Sequence, residues 1–169
     1  MEYKTNVMRI LDKLKINYNT YNYLNTNAIS GVEVAKALNQ DEKRVFKTLV
    51  TTSKSHKYYV FMIPVAEELD LKKCAASVNE KSIEMIPSKE LLPLTGYIHG
   101  GCSPIGMKKQ FTTIIHETAS LYPTIIFSAG KIGYQVEMNI DDLNKAIKIS
   151  LANIIVSGQR DGSLVKKKI

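Results

Sequence analysis

Cysteine is scarce in this chain, membrane-length apolar runs are missing, and acidic residues are outnumbered. Each shortage removes a class of protein. The two cysteines, Cys74 and Cys102, stand far apart, and the opening MEYKTNVMRILDKLK scatters its charges without a separate apolar stretch. No secretory leader and no disulfide framework are expected, and a reduced, cytoplasmic setting is. Apolar runs such as YYVFMIPVA stop far short of a bilayer span, so no membrane segment is expected either. The histidines His56, His99 and His116 are isolated, with no His-x-x-x-His and no Cys-x-x-Cys, which argues against a metal site.

What is present is ordinary for one folded unit. The 169 residues are 44% hydrophobic and 23% charged, enough for a single domain with a real core. Lysine and arginine total 23 against 16 aspartates and glutamates, a net charge of +7. Part of that excess sits in Lys166, Lys167 and Lys168, but the remainder is still basic and suits a polyanionic partner such as RNA.

Periodicity predicts a helix over 5–15, with Val7, Met8, Leu11 and Leu14 on one face, then a strand over 18–23. Ser30-Gly31-Val32-Glu33 has the form of a capping box and opens a short helix. The β-rich runs 44–52 and 57–65 read as a hairpin. A helix over 69–78, a strand over 81–86 and a helix from Pro87 to Gly96 follow, then strands over 111–115, 124–128 and 134–138. A helix capped by Asn139 runs to about Lys148, and a last strand covers 151–156. Strands and helices are interspersed irregularly, which predicts one α+β domain around a mixed sheet.

Several motifs bear on chemistry. Gly101 and Gly106 have the glycine spacing of a phosphate loop, but Met107 stands where its lysine belongs and Pro104 removes an amide. Gly130-Lys131-Ile132-Gly133 reads as a turn between two strands. Cys102 has no neighbouring base and reads as a small hydrophobe. Lys47, inside the apolar VFKTLV, must either snorkel to an edge or face a cavity, where it would meet an anion or have a perturbed pKa. The stretch GYIHGGCSPIGMKK at 96–109 is long for a plain connection. Its glycines allow backbone amides to aim at a carbonyl oxygen or a carboxylate. The lysines that end it read either as neighbours of an anion or as a solvated approach to the next strand.

RVFKTLV at 44–50, ELDLKK at 68–73, TGYIHGGCSPIGMKK at 95–109 and IIFSAGKIG at 125–133 together resemble the YbaK/EbsC family. These are free-standing relatives of the editing domain of bacterial prolyl-tRNA synthetase. The resemblance runs from about residue 4 to about 156. It implies an editing domain over 1–156, a twisted, partly barrel-like sheet flanked by short helices, and a polar basic tail over 157–169.

The family implies hydrolysis of mischarged aminoacyl-tRNA in trans, without a metal or cofactor and often beside prolyl-tRNA synthetase. The YbaK type clears cysteine from tRNA(Pro), the substrate's own thiol attacking its ester carbonyl. By resemblance Lys47 and Tyr23 are the catalytic residues, Lys47 holding the terminal adenosine or helping the departing ribose oxygen. Gly100, Gly101, Cys102, Ser103 and Pro104 would frame the aminoacyl carbonyl, and Ser128 and Gln135 would complete the pocket. The chain departs from the family at Ile132, where an arginine is common, and at Gln135, where some members carry an aspartate. Two alternatives stand beside this reading: deacylation of another mischarged tRNA, such as Ala-tRNA(Pro), and a non-catalytic binder of a tRNA end or a synthetase.

Overall fold

Short-range contacts start most of the helices. The computed structural model describes residues 3–157. Thr5 accepts from the Met8 amide at 3.2 Å and opens α1 (Asn6–Lys13), which turns Val7, Met8 and Leu11 inward. Leu14, expected on that face, is the C-cap and is 48% exposed, because the chain turns away at Lys15 with φ 60°. Both halves of the capping box form at Ser30 and Glu33, opening α2 (Gly31–Ala37). Asp70 accepts from the amides of Lys72 and Lys73 at the start of α3 (Leu71–Ser77). A 3-10 turn at Ser88–Glu90 leads into α4 (Leu91–Thr95), which Gly96 ends in the left-handed region at φ 87°. Asn139 accepts from the Asp142 amide at 2.7 Å and opens α5 (Ile140–Ala146).

The strands are β1 (Asn19–Asn22), β2 (Phe46–Ser53), β3 (Tyr58–Pro64), β4 (Ile83–Met85), β5 (Thr112–His116), β6 (Ile125–Ser128), β7 (Tyr134–Met138) and β8 (Ile149–Ala152). The α+β reading holds, and β2 and β3 form the expected hairpin. The strands divide, however, between two sheets rather than one. A five-stranded sheet has the order β4-β2-β3-β5-β8, and a three-stranded sheet has the order β1-β7-β6. The larger sheet is the mixed one, since β5 runs parallel to both β3 and β8 while the other pairs are antiparallel. An isolated parallel bridge from Val45 to Ile126 joins the two sheets.

The sheets wrap a common core. Val50, Val60, Met62 and Ile115 meet Ile125, Phe127, Val136 and Met138 from the smaller sheet, with Val7 and Leu11 of α1. On the other face of the larger sheet, Phe61, Ile63 and Ile114 pack on Cys74 and Ala75 of α3 and on Ile154. A third, small cluster of Ala35, Val45, Val65 and Ile126 fills the join between the sheets.

Three boundaries differ from the sequence reading. The strand expected over 81–86 is confined to Ile83–Met85. The last helix stops at Ala146 because Ile147 is drawn into the core in extended conformation. The last strand is Ile149–Ala152, earlier than the expected 151–156, because Ile154 turns under the sheet and donates its N–H to His116 Nδ1 at 3.2 Å. Residues beyond it pair instead with the approach to α3, Asp70 N–H to Ile154 O and Val156 N–H to Glu68 O, both at 2.9 Å. The basic tail expected over 157–169 lies, beyond Ser157, outside the described residues.

Asn139 is exposed and its side chain serves only to open α5. Asn139→Ala is expected to lower the free energy of unfolding by about 1 kcal/mol, read by urea denaturation, with an unchanged denaturant slope.

Candidate active site

The site begins as a gap in strand pairing. Along β2 the odd-numbered residues bond to β3, as Ser53 N–H to Lys57 O at 2.9 Å and Val65 N–H to Val45 O at 2.8 Å show at the two ends. In an antiparallel ladder the intervening residues then turn their backbone groups to the opposite edge. At Val50 that edge is taken, since its carbonyl accepts from Ile86 N–H at 3.4 Å, and β4 covers only Thr51–Ser53. At the other end Val45 bridges Ile126. Between them the N–H and C=O of Thr48 face an edge that no described strand covers, and its side-chain hydroxyl is buried with no hydrogen-bond partner.

A cavity of about 560 Å³ runs along this edge. That is within the range of roughly 300–1,000 Å³ typical of small-molecule sites. Because the cavity follows an edge, it meets side chains from both faces of β2, Lys47 and Thr48 alike. Val32, Val65, Ile86, Leu91 and Phe127 give it apolar walls.

The structure brings together six of the residues singled out from sequence: Tyr23, Lys47, Gly100, Cys102, Ser128 and Gln135 all line the cavity. Gly101, Ser103 and Pro104 do not. They lie buried behind the wall, and Ser103 is fully enclosed, its hydroxyl accepting from Ile105 N–H at 3.3 Å. The amide of Gly101 is engaged in a turn, donating to Ile98 O at 3.0 Å. Among the described residues the amides of Gly100 and Cys102 have no such engagement, so the wall's free donors lie there. Gly100 holds φ 89°, and a Cβ on Gly101 would stand 3.1 Å from the backbone nitrogen of Ile132, so the loop packs against the β6–β7 turn at glycine distance. The hydroxyl of Tyr97 donates to Ile105 O, and Lys108 N–H donates to Thr95 O at 3.0 Å, pinning the loop's interior and closing its base. Lys108 and Lys109 are exposed and do not line the cavity.

The electrostatics separate the two reactive-looking side chains. Burial lowers the pKa of Lys47, and the charges of Glu68 and Glu67 oppose that only in part. Lys47 is half-buried and takes part in none of the ion pairs found among the described residues. Burial pushes the thiol of Cys102 up to about 12, which suits a packing residue and not a nucleophile. Ser128 Oγ accepts from Gly130 N–H at 3.0 Å, which leaves its O–H free to donate. Gln135, 5% exposed, accepts from Gln40 Nε2 at 2.8 Å through its Oε1, so its NH₂ group remains available.

Sequence reasoning missed Thr48, whose residue type is unremarkable in a strand, and Gln40, which orients Gln135 from a distant turn. It set His99 aside with the other histidines, yet His99 stands on the cavity wall while His116 is buried in the core as an acceptor for Ile154 N–H. Among the described residues no group of three or more His, Cys, Asp or Glu is placed to hold a metal ion. No described helix is long and apolar enough to cross a membrane.

The cavity's setting matches known proteins. The chain is 46% identical over 136 residues to EbsC of Enterococcus faecalis, a candidate Cys-tRNA(Pro)/Cys-tRNA(Cys) deacylase, covering 80% of this chain and 83% of that protein. Its fold is similar to the crystal structure of the hypothetical protein APE2540, with a TM-score of 0.80 at 17% identity over 89% of this chain and 99% of that one. It is also similar to the crystal structure of a candidate trans-editing enzyme for prolyl-tRNA synthetase, with a TM-score of 0.76 at 18% identity over 92% and 100% of the two chains. Residues 26–146, which carry the free edge of β2, the glycine loop and the β6–β7 hairpin, match the aminoacyl-tRNA editing domain, and the chain belongs to that family.

Proposed function

We propose that the protein is a trans-editing deacylase that clears Cys-tRNA(Pro), with residues 1–156 as the editing unit and 157–169 as a basic tail. The observation that carries this reading is the cavity, which gathers a desolvated lysine, free amides and hydroxyl donors around a space without an activated protein nucleophile. Such a site suits a substrate that supplies its own nucleophile. The cysteinyl thiol attacks the ester carbonyl, a C–S bond forms and the ester C–O bond breaks. The thiol proton ends on the departing ribose oxygen, leaving a cyclic thiolactone and free tRNA.

The protein's part is positioning and charge stabilisation. The amides of Gly100 and Cys102 face the carbonyl oxygen as negative charge develops on it. Lys47, with its pKa lowered by burial, delivers positive charge and a proton to the ribose side. Tyr23 and Ser128 supply hydroxyl donors. The Thr48 carbonyl accepts from the substrate's amino group, a role that Gln135 Oε1 shares through its second lone pair without pairing that group's charge. The net charge of +7 suits a tRNA partner. Cytoplasmic action beside prolyl-tRNA synthetase, which would supply tRNA identity, completes the proposal. The neutral amide at Gln135 keeps Ala-tRNA(Pro) as the second reading.

Purified protein is expected to deacylate Cys-tRNA(Pro) and to spare Pro-tRNA(Pro). Lys47→Ala is expected to cost roughly 100- to 1,000-fold in rate. Loss of Ala-tRNA(Pro) instead would move the specificity, and no turnover of any ester would sink the enzymatic reading. Tyr23→Phe, which removes one of these hydroxyl donors, is expected to lower kcat/KM roughly tenfold while leaving the fold intact by circular dichroism.

Lys47 also makes a stability prediction. Its folded pKa lies below the ordinary 10.5, so between the two values the unfolded chain holds more protons. Charged Lys47 therefore destabilises the fold at neutral pH, and that cost fades as pH rises through the folded value towards 10.5. Lys47→Met is expected to raise Tm at pH 7, with a gain that shrinks as the buffer becomes alkaline. A lowered Tm at pH 7 would refute the desolvation argument.

A further inference from the structure

Gln135 is held in the catalytic cavity by a residue that does not reach the cavity itself. It sits on β7, the middle strand of the smaller sheet, directly opposite Ser128 of β6 and Tyr21 of β1. It is buried, and it lines the cavity with Ser128 and Lys47. Gln40 stands behind it, outside the cavity wall, and donates from Nε2 to Gln135 Oε1 at 2.8 Å.

The backbone of Gln40 is fixed by the end of α2. Asn39 takes the left-handed region at φ 56°, and its N–H returns to Lys36 O at 3.1 Å. Gln40 N–H returns to Ala35 O at 2.8 Å, which completes a Schellman turn. Ala35 is buried with Val45, Val65 and Ile126 at the join of the two sheets. Gln40 is therefore anchored to the same join that leaves the edge of β2 open.

The pair has a direction. Gln40 offers an N–H, so Gln135 turns Oε1 towards it. The Gln135 NH₂ group then has no hydrogen-bond partner among the described residues, and it is not sealed from the cavity that the residue lines. The sealed atom is Gln40 Oε1, which is buried without a partner. A buried carbonyl oxygen left unpaired is costly, so the direction is held against a penalty. No carboxylate lines the cavity, so the open Gln135 donor has its acceptor to find in the ligand.

We propose that Gln40 is a positioning residue that fixes the direction of the Gln135 amide, so that its NH₂ group donates to the sulfur of a cysteinyl ester and selects cysteine over alanine. This rests on the deacylase reading and favours the first of its two substrates. A carboxamide carries an acceptor and a donor side by side, and a cysteinyl group carries its amine and its sulfur on adjacent carbons. Gln135 Oε1 accepts from the amine while the NH₂ group meets the sulfur. An N–H donated to sulfur favours the thiolate, the form that attacks the ester. An alanyl group leaves the donor unpaired, which is how a polar site rejects an analogue that lacks the matching group.

The test measures binding of 3′-cysteinylamido- and 3′-alanylamido-3′-deoxyadenosine, amide analogues of the two esters, by isothermal titration in reducing buffer. Wild type is expected to bind the cysteinyl analogue about tenfold tighter. Gln40→Met removes the donor, and Gln40→Glu offers Gln135 an acceptor instead, which reverses the amide. Both variants are expected to bring the two affinities together and to slow deacylation of Cys-tRNA(Pro) about tenfold, with circular dichroism unchanged. The ratio of affinities is the deciding readout, because a merely structural role would weaken both analogues alike. Attraction between the added carboxylate and the amine, which both analogues carry, cancels in it. Gln40→Met, which adds no charge, carries the test if Gln40→Glu does not fold. Equal affinities in the wild type, or a preference that survives in either variant, overturn the positioning role and leave the deacylase reading standing. Failure of the wild type to bind either analogue, with no turnover of Cys-tRNA(Pro), overturns both.

Discussion

The join between the two sheets at Val45 and Ile126 governs everything at the cavity. Arg44, one residue before the bridge, donates to Glu137 Oε2 of β7 at 3.0 Å, and Tyr21 of β1 donates to Glu137 Oε1 at 2.6 Å. Thr124 also donates to Glu137. Burial pushes the Glu137 carboxyl up, but the Thr124 and Tyr21 hydrogen bonds and the Arg44 charge outweigh it and hold the pKa below the usual range. A largely buried pair of this kind is costly to break, because each partner would leave the other's charge stranded. β2 is thus tied to the small sheet at one end and to β4 at the other, and on the edge away from β3 no described strand covers the residues between.

That unpaired stretch concentrates the features a folding domain ordinarily avoids. Among the described residues Lys47 is desolvated without an ion pair and Thr48 carries a buried hydroxyl without a partner, and Gly100 lines the same cavity with a positive φ. Such departures gather at functional sites, where the surrounding structure holds them in place. Two reactive side chains outside the cavity are settled. His116 is buried and its pKa is lowered, but it accepts a backbone N–H. Cys74 is pushed up to about 12 by burial and packs under β3.

Much of the fold was legible in particular residues. Thr5, Ser30, Asp70 and Asn139 announce helix starts because an N-cap needs only a side-chain oxygen and an amide two or three positions on. Helix and strand ends were less legible. Leu14, Ile147 and Ile154 have the right polarity for several positions, and distant packing decides which they take. Lys47 was visible because a lysine in an apolar strand breaks a local rule. Thr48 breaks none, and its importance comes from β4 stopping short. Gly101, Ser103 and Pro104 shared a motif with Gly100 and Cys102, but alternation along an irregular loop cannot be read from letters.

The sequence by itself determined the α+β class, the cap-marked helices, the β2–β3 hairpin, the family and the lysine set within an apolar strand. These follow from neighbours along the chain or from motifs held in order. Only the tertiary structure decided that the strands form two sheets and that their join leaves Thr48 on an open edge. Those outcomes depend on which strands fail to meet. That is a property of long-range register and of the Arg44–Glu137 tie, and no local pattern encodes it.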